Sequence, residues 1–434
     1  MTTHSVLEPL VHFMNSPAPA PAAAPSCQVL LQLVSAHLLP NLLTVMALRP
    51  QRIIQVRNGD ANKNPRMETA TAHFRHALQV LAQEPGFKGY QPKMVELNLP
   101  HVAPDLTTTR DLVAHTLATT QGVTVNFSGG TRLMSIGAFQ AAAALGRPSL
   151  FCDAEAKRFS DGRTGGQGRW PEYPSIASAL SSRLLMAVEG RNPDDWRSEP
   201  ATDPLRAFGL KAFELRNQQW NVLENLNKTL RTHFYTNNDR LPHSADELKE
   251  LTLKALPPAA TSSEPARQYL AAATAAGLLR GDAQSYKLNV QPNKRAIDRA
   301  LSLLNSSWLE LAVMDCLMRN PRFKEPAWSV EPAKNENSDY SDTDLVCVDQ
   351  ETASLRVISC KVTTLRPPQE LIDAVKDRAM RMGGPDASAT LVIFKPAANQ
   401  ENAIRSYARR QGVDVALEAD EIVKMFSPHA AAKR

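Results

Sequence analysis

The chain has 434 residues, of which 43% are hydrophobic and 21% are charged, and its formal net charge is +5. This composition is typical of a globular protein, the length predicts two or three domains, and the mild positive charge permits a polyanionic partner without requiring one. No apolar run approaches the roughly 18–20 residues that span a bilayer, and no secretory signal is recognisable. The five cysteines form no C-x-x-C pair, which favours a reduced, cytoplasmic protein and argues against a structural zinc site.

The N-terminal half alternates strand-like and helix-like segments. Residues 1–27 form a leader rich in Pro and Ala that we expect to be disordered or extended. From 28 to about 195 the predicted elements are VLLQLV, a helix over 38–48, IIQVRN, a helix over 68–82, MVELNLP, a helix over 109–120, VTVNFSGG, a helix over 134–145, SLFCDAE, and a loop-rich margin with a helix over 176–188. This alternation predicts a parallel, helix-flanked sheet.

The C-terminal half divides into a helical region and a second α/β domain. Residues 204–292 are predicted to be mostly helical, with one long amphipathic segment over 213–234. The end of this region resembles the end of a winged helix, and a small helical spacer explains it equally well. From 293 to 434 the predicted elements are a helix over 295–319, a hairpin over 344–361, a helix over 369–382, a strand over 390–394, a helix over 399–410, a strand over 413–417 and a final helix.

The hairpin over 344–361 carries the strongest chemical signal. Two apolar runs flank a polar turn, and antiparallel pairing about that turn places Asp344 across from residues 359–361. Side chains alternate along a strand, so Ser359 and Lys361 share one face. The hairpin therefore predicts a carboxylate that can bind a divalent ion beside an ammonium that can orient water or neutralise a phosphoryl group, which is the arrangement a nuclease needs.

A second signal is a glycine-rich turn between a strand and a helix. The strand VTVNF runs into Ser128-Gly129-Gly130-Thr131-Arg132. Two glycines allow close approach to a ligand, the helix start favours an anion, and the flanking hydroxyls and arginine add donors. The pattern is neither a dinucleotide fingerprint nor a Walker A loop, which favours a phosphate-bearing ligand other than ATP or NAD. The alternative is a tight strand-to-helix turn with a capping serine.

Three separated parts of the chain resemble one known family. NFSGGTRLMSIGAFQAA resembles the signature of CARF domains, the Rossmann-like sensors associated with CRISPR systems, although Ser128 and Arg132 replace the usual Thr and Lys. VLLQLVSAHLLPNLLTVMALRPQRIIQV is similar to their first βαβ unit. The C-terminal half resembles a branch that carries a restriction-endonuclease-like PD-(D/E)xK domain, through WLE on a helix, an Asn-Glu…Asp segment that contains Glu336, and a strand ending in Lys361.

The resemblance implies an α/β fold with a Rossmann-like sensor domain over 28–195, a helical or winged-helix-like region over 204–292 and a nuclease domain over 293–434. It further implies a homodimer that binds a cyclic oligoadenylate, expected to be cyclic tetra-adenylate, and then cleaves DNA or RNA in type III CRISPR defence. The ligand would be held by Ser128, Gly129, Gly130, Thr131 and Arg132, by the loop from Ser35 to Asn41, and by Arg57 and Asn58.

The resemblance also assigns roles in the nuclease site. Glu310 would join Asp344 in binding Mn²⁺ or Mg²⁺, and Lys361 would position water or stabilise the transition state. Position 359 holds Ser where the general motif has Asp or Glu. We therefore expect Asp344, Glu310 and the backbone carbonyl of Cys360 to hold the metal. The alternatives are a solvated or structural Glu310, a strand-capping Asp344, and loss of activity through Ser359.

Three other functions compete with this interpretation. HEPN ribonucleases need an Arg and a His spaced as in Arg110–His115 and Arg66–His73, but both pairs fall in the sensor region, where a helical nuclease does not fit. A transcriptional regulator would read DNA with a winged helix in 204–292 and carry an inactive nuclease-like domain. A sensor that degrades its own activator would need a base that the turn does not obviously contain.

Overall fold

The structure, a computed structural model, describes residues 27–59, 64–100, 105–154, 156–164, 170–235, 241–242, 244–282, 285–332, 343–363 and 366–428. Residues 1–26 of the predicted leader, and Glu336, lie outside the described residues. The described residues divide into two compact units. The first draws on the described residues within 1–34, 43–60 and 92–176, and the second draws on those within 35–42, 61–91 and 177–434.

The helices and strands follow in chain order. The first are β1 (Val29–Leu33), α1 (Leu39–Leu48), β2 (Arg52–Asn58), α2 (Pro65–Leu81), β3 (Lys93–Leu99), α3 (Leu106–Thr119), β4 (Val123–Asn126), α4 (Arg132–Ala144), β5 (Ser149–Asp153), β6 (Arg158–Asp161), α5 (Tyr173–Ala177), α6 (Ser182–Val188) and β7 (Trp196–Glu199). The next are α7 (Asp203–Gln218), α8 (Trp220–Phe234), α9 (Ala245–Leu253), α10 (Glu264–Ala275), β8 (Leu279–Arg280), β9 (Lys287–Leu288) and α11 (Lys294–Ser302). The last are α12 (Trp308–Arg319), β10 (Phe323–Pro332), β11 (Thr343–Asp349), β12 (Ser354–Thr363), α13 (Pro368–Gly383), β13 (Ser388–Lys395), α14 (Glu401–Gln411), β14 (Val413–Leu417) and α15 (Glu418–Phe426).

The first unit is built on a six-stranded sheet in the order β3-β2-β1-β4-β5-β6. Strands β1 to β5 run parallel, and β6 pairs antiparallel with β5. All five residues of β1 are buried, as expected of an apolar strand that is covered on both faces. The prediction of a parallel, helix-flanked sheet is confirmed. Strand β6 was not predicted, because its sequence RFSD shows no alternation of apolar residues.

The order of this sheet defines where a ligand can bind. β1 and β4 are neighbours although two strands separate them in sequence, so the direction of winding reverses between them. Doubly wound sheets bind ligands outside the carboxyl ends of their strands at such a reversal. The glycine-rich turn directly follows β4 and therefore lies at this position.

The second unit contains a six-stranded mixed sheet in the order β14-β13-β12-β11-β10-β7. β12, β13 and β14 are parallel, and the other neighbours are antiparallel. The predicted hairpin is present as β11 and β12, with Leu345 opposite Ile358. Strands β7 and β10 were absent from the prediction. β10 has shifted registers and positive φ angles at Glu325 and Ser329, and such bulges obscure the alternation that indicates a strand.

Three predicted helices need correction. The amphipathic segment over 213–234 is two helices, because Gln219 leaves the helical backbone with a φ of −135°. The helix predicted over 295–319 contains a π-helical segment, Leu303–Ser307. The helix predicted over 176–188 is α5 and α6, and the second begins at a separate cap, where the Ser181 hydroxyl accepts a hydrogen bond from the Leu184 amide.

The core of the second unit joins α7 and α12 to one face of the sheet. Trp308, Ile358 and Phe394 are buried in one apolar cluster. Gly209 lets the two helices approach closely, since a Cβ atom there would lie 2.5 Å from the Cβ of Leu311. After α10, β8 and β9 form a small antiparallel sheet. None of the described helices combines the length and apolar character that crossing a membrane requires.

Candidate active site

Asp344 is the centre of a polar cluster at the end of the β11–β12 hairpin. Its Oδ2 atom accepts hydrogen bonds from the Cys360 amide at 2.6 Å, the Ser359 hydroxyl at 3.0 Å and the Lys361 Nζ at 3.1 Å. Lys361 Nζ also donates to the Cys360 carbonyl at 3.1 Å. The hairpin register extends to place Asp344 opposite Ser359. The structure thus brings together a carboxylate, an ammonium and a backbone carbonyl, with the Lys361 side chain 36% exposed and able to meet a ligand.

Glu310 reaches the cluster from the first turn of α12. Its Oε2 accepts a hydrogen bond from the indole Nε1 of Trp328 at 2.9 Å, and the Arg299 guanidinium lies 4.1 Å from the centre of the Trp328 ring. Burial, and then the negative charge of Asp344, raise the pKa of Glu310 to about 7, although hydrogen bonds from Trp328 and Ser307 lower it. Two carboxyl groups therefore repel each other here.

A divalent cation would relieve that repulsion, and the donors present suit one. Asp344, Glu310 and the Cys360 carbonyl are hard oxygen donors, which Mg²⁺ and Mn²⁺ prefer, and Mg²⁺ keeps several waters. Burial raises the pKa of the Cys360 thiol far above its usual range, so its sulfur stays protonated and only its carbonyl can serve. Among the described residues, no group of three or more His, Cys, Asp or Glu side chains is placed to hold a metal. The residues present therefore fit a metal site that is formed by two carboxylates and one backbone carbonyl.

A π-helical segment directly precedes α12 and so determines where the first turn of α12, which carries Glu310, lies. The carbonyl of Leu304 accepts from the Tyr269 hydroxyl, and that of Asn305 accepts from Asn227 Nδ2 at 3.3 Å and Trp308 Nε1 at 3.2 Å. π-Helical turns are rare and occur frequently at functional sites. Sequence reasoning missed this segment and Trp328, since neither leaves a periodic signal.

The glycine-rich turn in the first unit is held by its own side chains. The Ser128 hydroxyl donates to Asn126 Oδ1 at 2.5 Å and accepts from the Cys152 amide at 2.6 Å. Thr131 caps α4, because its hydroxyl accepts from the Met134 amide at 3.3 Å. Ser128 and Thr131 thus shape the turn. The start of α4 and the exposed Arg132 remain as the groups that can meet an anion.

Glycines give this turn its shape. Gly130 has a φ of +77°, which L-residues rarely adopt, and a Cβ atom there would lie 3.0 Å from the Cβ of Leu33. The carbonyl of Gly129 accepts from the Ser135 hydroxyl at 2.8 Å, which ties the turn to the second turn of α4. The close packing of Gly130 on β1 therefore determines where the start of α4 lies.

The other predicted ligand residues have varied surroundings. Arg57 and Asn58 end β2, at the same edge of the sheet as the turn after β4. Arg57 is buried and forms an ion pair with Glu96 at 2.9 Å, so much of its charge is compensated. In the second unit, the Ser35 hydroxyl donates to the His37 carbonyl at 2.7 Å, and Asn41 is fully buried in α1.

Comparisons with known proteins show similarity in fold. No protein-family model matches the chain, and no curated protein matches it. Can2 from Sulfobacillus thermosulfidooxidans, solved in complex with cyclic tetra-adenylate, is 19% identical, with 92% of this chain and 97% of that chain covered and a TM-score of 0.62. The protein VC1899 from Vibrio cholerae is 14% identical, with coverages of 93% and 96% and a TM-score of 0.67. The chain thus shares, over nearly its whole length, an α/β fold with a Rossmann-like parallel sheet and a second, mixed sheet.

Proposed function

We propose that this chain is a metal-dependent nuclease of type III CRISPR defence, and that a cyclic oligoadenylate, expected to be cyclic tetra-adenylate, activates it. The observation that carries the proposal is the convergence of Asp344, Lys361 and Glu310 at the end of one hairpin. The fold shared with Can2, whose structure contains cyclic tetra-adenylate, supports the choice of activator.

Each residue of the site has a distinct role in this mechanism. Asp344, Glu310 and the Cys360 carbonyl would hold Mg²⁺ or Mn²⁺, which when bound polarises a phosphoryl oxygen and activates water. Lys361, fixed by Asp344 and by the Cys360 carbonyl, offers its ammonium to the negative charge that develops on the phosphoryl group. Ser359 donates to Asp344 and so orients the carboxylate.

The activator would bind at the glycine-rich turn. The amides at the start of α4 and the exposed Arg132 suit the phosphates of a cyclic oligonucleotide. A ring with repeated nucleotides presents the same groups more than once, so two copies of one site can bind it. A homodimer is therefore part of the proposal.

Contacts of the middle helices favour this function over a DNA-reading regulator. Asn227 of α8 and Tyr269 of α10 bond to the π-helical segment that leads to Glu310. Residues 204–292 thereby support the nuclease site.

The test combines the full chain with Mg²⁺ or Mn²⁺, cyclic tri-, tetra- or hexa-adenylate, and labelled RNA, single-stranded DNA and duplex DNA. We expect cleavage that requires both a metal and cyclic tetra-adenylate. Asp344→Asn and Lys361→Met should each lower the rate by about two to three orders of magnitude. Asp377→Asn, an exposed aspartate on α13, is the control. Absence of cleavage in every combination would refute the nuclease, and persistence in both variants would refute this site.

A further inference from the structure

A cavity of about 180 Å³ in the second unit has no role in the mechanism above. It is lined by Arg216 and Asn217 of α7, Phe394 and Lys395 of β13, and the first turn of α15. Arg216 and Lys395 supply positive charge from two elements that are far apart in sequence. Two cations at one cavity favour an anionic ligand.

Arg216 is buried, and no carboxylate among the described residues forms an ion pair with it. Its side chain has no exposed surface, and its guanidinium stacks on the rings of Tyr269 and Trp308, at 5.2 and 5.0 Å from their centres. Its Nη2 donates to Asn227 at 2.6 Å, whereas Nε and Nη1 have no acceptor among the described residues. A buried charge that lacks partners is costly, so an anion that pairs with this guanidinium would offset part of that cost.

The rim of the cavity adds further attraction for an anion. Lys395 is exposed there and forms no ion pair within the described part of the chain. The first turn of α15 contributes backbone amides, which lack acceptors inside their own helix. Glu418 and Asp420 on the same turn also line the cavity, but their carboxylates are exposed to solvent, which screens their repulsion of an anion. Within the described part of the chain neither forms an ion pair with Arg216.

The cavity adjoins the proposed catalytic lysine. Lys395 pairs with Thr363 in the parallel register of β12 and β13, two residues beyond Lys361. Strand spacing and rise put the Cα atoms of Lys361 and Lys395 about 8 Å apart. A nucleic-acid strand with one phosphate at Lys361 could therefore place another phosphate at this cavity.

We propose that the cavity binds a phosphate group of a nucleic-acid strand, with Arg216 and Lys395 as its cations. The identity of the strand as substrate rests on the proposed nuclease function. The chemistry of the site rests on the Arg216 guanidinium and the Lys395 ammonium, and not on that function. Free phosphate has the same chemistry, so the experiment must separate the two sources.

The experiment measures binding of a fluorescent single-stranded oligonucleotide to the full chain in EDTA, over a series of salt concentrations. Lys395→Gln should weaken binding about fivefold and reduce the slope of log affinity against log salt by about 0.7 to 1. Lys424→Gln makes the same charge change in the last turn of α15, away from the cavity, and should change neither value. Arg216→Lys keeps the charge but loses the planar fork, and should weaken binding similarly.

A second arm titrates inorganic phosphate into the same variants by calorimetry. Equal oligonucleotide and phosphate binding by the wild type, Lys395→Gln and Lys424→Gln would overturn the site. Weakened phosphate binding with unchanged oligonucleotide binding would overturn the nucleic-acid occupant and identify a small phosphate anion. Binding in EDTA is measured without metal-dependent cleavage. If the wild type cleaves nothing in the separate assay with Mg²⁺ or Mn²⁺, while Lys395→Gln still weakens oligonucleotide binding in EDTA, the proposed function is refuted and this site remains intact.

Discussion

Replacing Glu310 with glutamine should stabilise the metal-free protein at alkaline pH. Burial and the charge of Asp344 raise the pKa of Glu310 from its ordinary 4.5 to about 7. Between these values the folded state holds a proton that the unfolded state has released, so stability falls as the pH rises through this window. Glutamine carries no charge at any pH and still accepts the hydrogen bond from Trp328.

The magnitude follows from the size of the shift. A pKa raised from 4.5 to about 7 corresponds to at most about 3 kcal/mol once the pH exceeds both values. Neighbouring groups that relax around the ionised carboxylate reduce this figure. The free energy of unfolding of Glu310→Gln should therefore exceed that of the wild type by up to about 3 kcal/mol at pH 8, and by less than about 1 kcal/mol at pH 5.

Urea unfolding in EDTA at pH 5 and pH 8 measures this difference. Glu189→Gln is a matched control, because burial and Asp386 also raise the pKa of Glu189 to about 7, away from the hairpin cluster. Both variants should gain stability at pH 8. Under the proposed function, only Glu310→Gln should abolish cleavage and, in buffer without EDTA, the stabilisation that we expect Mn²⁺ to give the wild type. A gain in Glu189→Gln without one in Glu310→Gln would refute the electrostatic reasoning.

Three further changes test other parts of the structure. Trp328→Phe removes a hydrogen bond that lowers the pKa of Glu310. The acidic limb of the plot of kcat/KM against pH should therefore move to higher pH by about 1 unit, and a limb at an unchanged pH would contradict this reasoning. Gly130→Ala, at a φ of +77° and against Leu33, should destabilise the chain by about 1–3 kcal/mol in urea unfolding, whereas Gly86→Ala, which meets no atom within 4 Å, should not. Asp349→Ala leaves the buried Arg356, among the described residues, with the exposed Asp414 as its carboxylate and the Thr390 hydroxyl as a neutral acceptor. It should cost about 3 kcal/mol by the same measurement, and replacing Arg356 with Met as well should recover part of it.

Local patterns were enough to predict the parallel sheet and the hairpin. Alternation of apolar residues about a polar turn determines a register, and that register alone predicts that Asp344 faces residues 359–361. Trp328 could not be predicted in the same way, because β10 bulges and its alternation is lost. A tryptophan that bonds to a carboxylate 18 residues earlier leaves no local signal.

Arg216 illustrates the same limit more sharply. On an amphipathic helix an arginine indicates the solvated face, yet this one is fully buried between two rings from distant parts of the chain. Only the packing of α7 on α12, which Gly209 permits, places it there. Tertiary packing therefore overrides the helical pattern at this position.

Two buried charges of opposite sign flank the start of α12, and they do not neutralise each other. Arg216 stacks on Trp308, and Glu310 lies two residues further along the helix, where its side chain points in a different direction. The charge of Asp344 acts on the carboxyl group, and Arg216 lines a cavity. Under the two proposals above, each charge is kept for a partner from outside the chain. A nucleic-acid strand that arrives with a divalent cation would bring both partners at once, so the free energy spent on keeping these charges apart in the free protein would be returned on binding.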